Sequence, residues 1–143
     1  MKHWIGWAAT VLAVALLACG CASTPKRDLT RLQGTWAGEE IGGPPGECRM
    51  TIEGHTIKFQ GARSQEWYVG SINLNPKAHP KQATILIADC GYRQYAGKTA
   101  RAIYKLEGDK LTIAGHEPGK ETFPTALTRD AASGTRAFAM TRQ

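Results

Sequence analysis

From residue 34 onward, apolar side chains recur at every second position in short runs, and turn residues separate the runs. A period of two predicts β-strands with one apolar face, because successive side chains of a strand point to opposite sides of the sheet. The 16 glycines and 7 prolines agree with the many turns of such a fold. The predicted strands are Thr35–Ile41, Cys48–Glu53, His55–Gln60, Glu66–Leu74, Gln82–Cys90, Lys98–Glu107, Lys110–Ala114 and Thr135–Arg142.

Eight strands in hairpin order predict an antiparallel meander. An open sheet of that size would expose an apolar face and two edges, and closure into a barrel removes both problems. We therefore expect an all-β fold, a small eight-stranded antiparallel up-and-down barrel of residues 31–143, with room for side chains or one small ligand. The turns at Gly54 and Gly108 would lie at one end, the floor, and the long connections 42–47, 91–97 and 115–134 at the other, the mouth.

The first thirty residues predict export rather than fold. Ile5 to Ala18 is apolar but too short to span a bilayer comfortably, so residues 1–18 are interpreted as a signal peptide. The sequence Leu16-Leu17-Ala18-Cys19 resembles the bacterial lipobox, which implies acylation of Cys19, with Cys21 as a rival site. Residues 19–30 would then be a lipidated polar tether. We expect an exported protein anchored to a bacterial cell-envelope membrane, facing the periplasm or the cell surface; the alternative is an ordinary cleaved signal.

Two further cysteines, Cys48 and Cys90, are isolated in the sequence. In an exported protein such a pair predicts one disulfide. The meander places both cysteines at the mouth, so a bond between them would bridge two mouth connections.

The distribution of charge and polar residues excludes several function classes. The formal charge is +6, but the basic residues are scattered without interleaved aromatics, so we expect no nucleic-acid partner. His55, His79 and His116 lack metal-ligand spacing, and no nucleophile elbow or phosphate loop is present. The sequence therefore predicts no catalytic residue, no metal and no cofactor. An enzyme would need a polar cluster inside the barrel, and none is predicted.

The start of the first strand resembles lipocalins and their relatives. Gly34-Thr35-Trp36 is similar to their Gly-x-Trp motif, in which the tryptophan lies at the closed end of the barrel beneath a basic residue of the last strand. Arg142 ends the last predicted strand at the same end, so the resemblance implies a cation–π contact with Trp36. Some barrels with a similar opening bind haem through one histidine, and His116 would be the candidate; a turn histidine is the favoured interpretation.

A closer resemblance covers nearly the whole of the expected domain. Residues 32–36, residues 103–111 and the region of Pro124 resemble a lipocalin-like family of unknown function that is common in planctomycete exported proteins and lipoproteins. The family implies a small barrel and export and no known reaction. Its usual Arg-Pro is replaced by Thr122-Phe123-Pro124, so a role of that arginine does not carry over.

The candidate binding residues lie at the predicted mouth. Tyr92, Arg93 and Tyr95 crowd the connection after Cys90, and rings beside a cation suit a small amphiphile. We expect a non-enzymatic, membrane-anchored domain that binds a small apolar or amphipathic ligand in or at the mouth of the barrel. The alternative is an envelope structural or protein-interaction module with a filled barrel, whose protein partner the sequence does not identify.

Overall fold

The computed structural model describes residues 24–143. These residues form a helix, α1 (Pro25–Leu32), a short 3-10 helix (Arg93–Tyr95) and eight strands. The strands are β1 (Gly34–Glu40), β2 (Cys48–Glu53), β3 (Thr56–Gln60), β4 (Trp67–Asn75), β5 (Lys81–Cys90), β6 (Thr99–Glu107), β7 (Lys110–Gly115) and β8 (Arg136–Arg142). Each boundary lies within one residue of its predicted position.

The strands form a closed antiparallel barrel in sequence order, which confirms the predicted fold class. Closure is made by β1, which pairs with β2 on one side and with β8 on the other. Trp36 lies opposite Arg142 in the β1–β8 register, so both belong to the same end. The β2–β3 and β6–β7 turns share this floor end, and the long connections lie at the mouth.

Large side chains fill the lower half of the barrel. Trp36, Ile52, Leu111 and Met140 are almost fully buried there and belong to one apolar cluster. The guanidinium carbon of Arg142 lies 4.3 Å from the centre of the Trp36 ring, which confirms the predicted cation–π contact. Because the guanidinium also donates to backbone carbonyls of residues 31 and 33, it ties the last strand to the segment before the first.

The structure corrects the predicted tether, because residues 25–30 belong to α1 and the folded unit therefore begins before residue 31. Thr24 caps the helix by accepting a hydrogen bond from the Arg27 backbone N–H at 3.2 Å, and Pro25 occupies the first turn. The helix covers the floor: Leu32 is buried in the barrel cluster, and its carbonyl accepts the Trp36 indole N–H at 3.0 Å.

Asp28 fastens α1 to the barrel wall. Its carboxylate is fully buried and accepts hydrogen bonds from Lys81 Nζ at 2.8 Å and Tyr104 OH at 2.7 Å. Burial alone would raise the pKa of Asp28, but the bonds from Lys81 and Tyr104 outweigh it and hold the pKa below its usual value. The helix therefore carries an ionised side chain into the floor.

A second apolar cluster lies on the outside of the barrel. Ile103, Ala114 and Ala137 point outward from β6, β7 and β8, and Phe123 and Leu127 of the β7–β8 connection pack against them. The long connection thus covers the outer wall before it returns to the mouth, where it contributes to the site described below.

Candidate functional site

A cavity of about 580 Å³ occupies the upper half of the barrel and opens at the mouth. Its walls are mainly aliphatic and aromatic, with Met50, Ile57, Phe59, Ile85 and Phe138 among the lining residues. The interior is therefore filled only at the floor end, and the filled barrel of the alternative interpretation does not extend to the upper half.

The cavity follows from the sizes of the inward-facing residues. On β6, Ala100 and Ala102 line the cavity, whereas Tyr104, two residues further down the same face, is buried beneath it. Gly70 on β4 and Gly115 on β7 also contribute no side chain to this level. Small residues high in the barrel and large ones low in it leave a space that is closed at the floor and open at the mouth.

An ion network crosses the cavity near the mouth. Arg136 donates two hydrogen bonds to Glu40, Nε to Oε1 at 2.8 Å and an Nη to Oε2 at 2.7 Å. The same Nη donates to Glu66 Oε2 at 3.1 Å. Both carboxylates are buried, whereas the Arg136 side chain is 37% exposed, so the guanidinium remains accessible from the cavity and the mouth.

Two further arginines flank the network. Arg129 of the β7–β8 connection lies 3.7 Å from Glu40 Oε1, and Arg63 of the β3–β4 connection lies 3.6 Å from Glu66 Oε1. Hydrogen bonds from Arg136 lower the pKa of Glu40, against the opposing effect of burial, and they raise the pKa of Arg136 itself. Glu40 is therefore ionised at neutral pH.

Aromatic side chains surround the guanidinium. The Arg136 guanidinium lies 5.3 Å from the centre of the Phe138 ring, and that ring meets Phe59 edge-on at 5.1 Å. Tyr68 lines the cavity beside them, and burial raises its pKa to about 12, so its hydroxyl stays protonated. The mouth thus offers a hydroxyl donor and a cation above an aromatic wall.

The predicted mouth residues divide into two groups. Tyr92 and Tyr95 line the cavity and meet edge-on with ring centres 6.4 Å apart, whereas Arg93 between them is exposed and does not line it. The Tyr95 hydroxyl donates to Glu117 Oε1 at 2.7 Å, which joins the β5–β6 connection to the β7–β8 connection. Two of the three predicted residues therefore belong to the candidate site, and Arg93 does not.

His116 also lines the cavity. Its Nδ1 lies 2.8 Å from the Thr135 hydroxyl, and its pKa is lowered by burial and by the nearby Lys120. The hydrogen bond with Thr135, at the end of the β7–β8 connection, orients this histidine.

The predicted disulfide between Cys48 and Cys90 is absent, and both thiols are free and buried. Both cysteines lie near the mouth, as predicted, but β3 and β4 separate their strands. Three inter-strand spacings of about 4.8 Å exceed the roughly 7 Å Cα separation that a disulfide tolerates. Cys90 instead donates its thiol to the Tyr92 carbonyl at 2.9 Å.

Sequence reasoning missed Glu40, Glu66 and Arg136, and the expectation that no polar cluster lies inside the barrel is wrong. A signal was present, because Glu40 is in phase with the buried Trp36 on β1 and Arg136 is in phase with Phe138 on β8. Extending the period of two to the strand ends would have placed both charged side chains inside.

The predicted signal peptide and the lipidation sites Cys19 and Cys21 lie outside the described residues. Within residues 24–143, no helix has the length and apolar character needed to span a bilayer. No protein-family model matches the chain, and neither does any curated protein or solved structure.

Proposed function

We propose that this protein is a lipid-anchored, lipocalin-like binding protein that holds a small apolar or amphipathic molecule in the upper half of its barrel. The observation that carries the proposal is the cavity of about 580 Å³, which lies within the size range of small-molecule sites. An aliphatic and aromatic wall of this extent is stabilised by an apolar ligand that displaces water from it.

The polar groups at the mouth favour an amphipathic ligand over a purely apolar one. An apolar segment would lie against Ile57, Ile85 and Phe138, and a polar group would reach Arg136 and the Tyr68 hydroxyl. Tyr92 and Tyr95 would cover the ligand at the rim. This arrangement orients the molecule with its apolar end towards the floor.

The chemistry of the ion network supports a non-enzymatic role. Both buried carboxylates of the mouth accept hydrogen bonds from one guanidinium, which keeps Glu40 ionised and leaves it a poor proton donor at neutral pH. The network instead resembles a rigid polar rim that fixes the orientation of a ligand.

Membrane attachment rests on the Leu16-Leu17-Ala18-Cys19 sequence, which would be acylated during export. Incorporation of a clickable palmitate into the wild-type chain, and its loss in the Cys19→Ser/Cys21→Ser variant, would support the anchor. A wild-type chain that takes up no label would contradict it.

Ligand binding is tested by titrating unacylated residues 22–143 with N-phenyl-1-naphthylamine, an uncharged dye that fluoresces in apolar sites. Ala100→Phe places a ring inside the cavity and takes up part of its space, and we expect it to weaken dye binding by at least about tenfold. Thr84→Phe places the same ring on an outward-facing position of β5 and should leave the dissociation constant within about twofold. Equal binding by both variants, or no binding by the parent, would contradict the proposal.

A further inference from the structure

The two ends of the barrel differ in charge. The mouth end, comprising residues 39–49, 60–66, 89–101 and 115–136, holds equal numbers of basic and acidic residues. The floor end holds eight basic residues and only four acidic ones. It comprises residues 24–33, 53–56, 75–81, 105–110 and 141–143.

Three of the four floor acids are neutralised within the fold. Asp28 is buried against Lys81, and its other oxygen lies 4.0 Å from Arg31. Lys105 lies 2.6 Å from Glu107, and Arg142 lies 3.0 Å from Asp109. The floor end as a whole carries four more basic than acidic residues, so its net charge is positive.

Exposed cations surround the floor on several elements. Lys26 is exposed on α1, Lys77 is exposed on the β4–β5 connection, and Lys110 is exposed at the start of β7. Because they belong to three different elements around α1, they present one basic face rather than a single charged segment.

The route of the chain brings this face to the proposed anchor. The helix begins at Pro25 on the floor, with Thr24 as its cap. Five residue-to-residue steps lead from Cys19 to Thr24, and at about 3.5 Å each they span at most roughly 18 Å when fully extended. An acylated Cys19 would therefore hold the floor, and not the mouth, close to the bilayer.

We infer that the floor end docks on a bilayer surface rich in anionic phospholipids and that the mouth is held facing away from that bilayer. The inference rests on the lipid anchor of the proposed function. Anionic headgroups complement the excess cations of the floor, and the short anchor lets the floor approach the surface to within a Debye length, about 8 Å at physiological salt. The cavity then exchanges its ligand with the aqueous compartment rather than with the leaflet beneath the protein.

The strength of the docking depends on the number of floor cations. Each lysine near an anionic surface favours the bound state by about fivefold. Removing two of them is expected to shift the docked-to-undocked ratio by about 25-fold at low salt, and added salt should weaken docking in the parent.

The test is lysine footprinting on the full chain produced in a bacterium and reconstituted into vesicles. The vesicles contain phosphatidylcholine alone or phosphatidylcholine with phosphatidylglycerol, and a membrane-impermeant acetylating reagent labels exposed amines for mass spectrometry. Lys26, Lys77 and Lys110 report on the floor, whereas Lys58 on the wall and Lys98 at the mouth serve as internal references. We expect the floor lysines to react several-fold more slowly on anionic vesicles and the references to react equally on both.

Charge variants test the cause of the protection. Lys77→Gln/Lys110→Gln should restore fast labelling of Lys26 on anionic vesicles, whereas Lys58→Gln/Lys98→Gln should leave Lys26 protected. Floor lysines that label at the same rate on both vesicles, in a chain that floats with them, would overturn the docking and leave the anchor intact. A chain that floats with anionic vesicles only, and is released by salt, would support the docking and contradict the anchor. A chain that floats with neither would overturn both.

Discussion

Removal of Arg136 provides a stringent test of the mouth network. Arg136→Met leaves Glu40 and Glu66, whose side chains are 4% and 6% exposed, without their shared donor. Breaking a buried ion pair by removing one partner costs about 3–5 kcal/mol. Because Arg136 is partly exposed, and Arg129 and Arg63 remain within 4.0 Å of the carboxylates, we expect a smaller loss of about 2 kcal/mol at pH 7.

The free energy of unfolding that Arg136→Met loses should depend on pH in a defined direction. The native pKa of Glu40 is lowered by Arg136, so the stability it contributes is present above the unfolded pKa of about 4.3 and is lost as pH falls through the lower native pKa. Without Arg136 the buried Glu40 carboxylate is harder to ionise, and its protonation relieves the cost of burying an unpaired charge. The deficit of the variant should therefore be largest at neutral pH and shrink towards about pH 4.

Urea unfolding followed by tryptophan fluorescence measures both effects. Arg93→Met, which removes an exposed arginine from the same end, should change the free energy of unfolding by less than about 0.5 kcal/mol. A deficit of Arg136→Met below that value at pH 7, or one that is equal at neutral and acid pH, would refute the assignment of Arg136 as the counter-ion of both carboxylates.

Three other perturbations test the floor, the barrel closure and the cysteines. Asp28→Asn should lower the free energy of unfolding by about 2–3 kcal/mol at pH 7. The difference between variant and wild type should be smaller below about pH 4, because the native pKa of Asp28 is lowered and its protonation at acid pH removes the advantage of the wild type. Urea titrations at the two pH values measure both differences. Gly38→Ala should lower the free energy of unfolding by about 3 kcal/mol in the same assay, because a Cβ there would lie 1.9 Å from the Ala139 carbonyl oxygen. Gly115→Ala should change it little, because the nearest atom to a Cβ there is 3.7 Å away. Alkylation in denaturant without reductant should modify both Cys48 and Cys90, because both thiols are free; peptide mass spectrometry detects the modification. If either cysteine reacted only after reduction, the free thiols would be contradicted.

The strands were predictable because a local signal, the period of two, agrees with the tertiary arrangement along the whole chain. β2 matches its predicted limits, and the closure of β1 onto β8 follows once eight strands are in hairpin order. The helix α1 was not predictable in the same way. Only the partly buried Leu29 and the buried Leu32 mark its apolar face, and the other buried residue is a carboxylate whose partners lie 53 and 76 residues away.

The site was less predictable than the fold because charged residues at strand ends are usually solvated. Glu40 and Arg136 have the inward phase, but their burial depends on each other across 96 residues of chain. The pairing of Cys48 with Cys90 failed for the opposite reason. Placement at one end of a barrel does not bring two strands together, and two intervening strands keep these thiols apart.

The central claim is that the upper half of the barrel holds a small amphipathic molecule. Native mass spectrometry of detergent-free protein, with Ala100→Phe measured in parallel, tests it most directly. We predict that the wild type carries a non-covalent adduct that is released on collisional activation and that the variant lacks it. Wild-type protein whose native mass equals that of its polypeptide and covalent groups alone would contradict the claim.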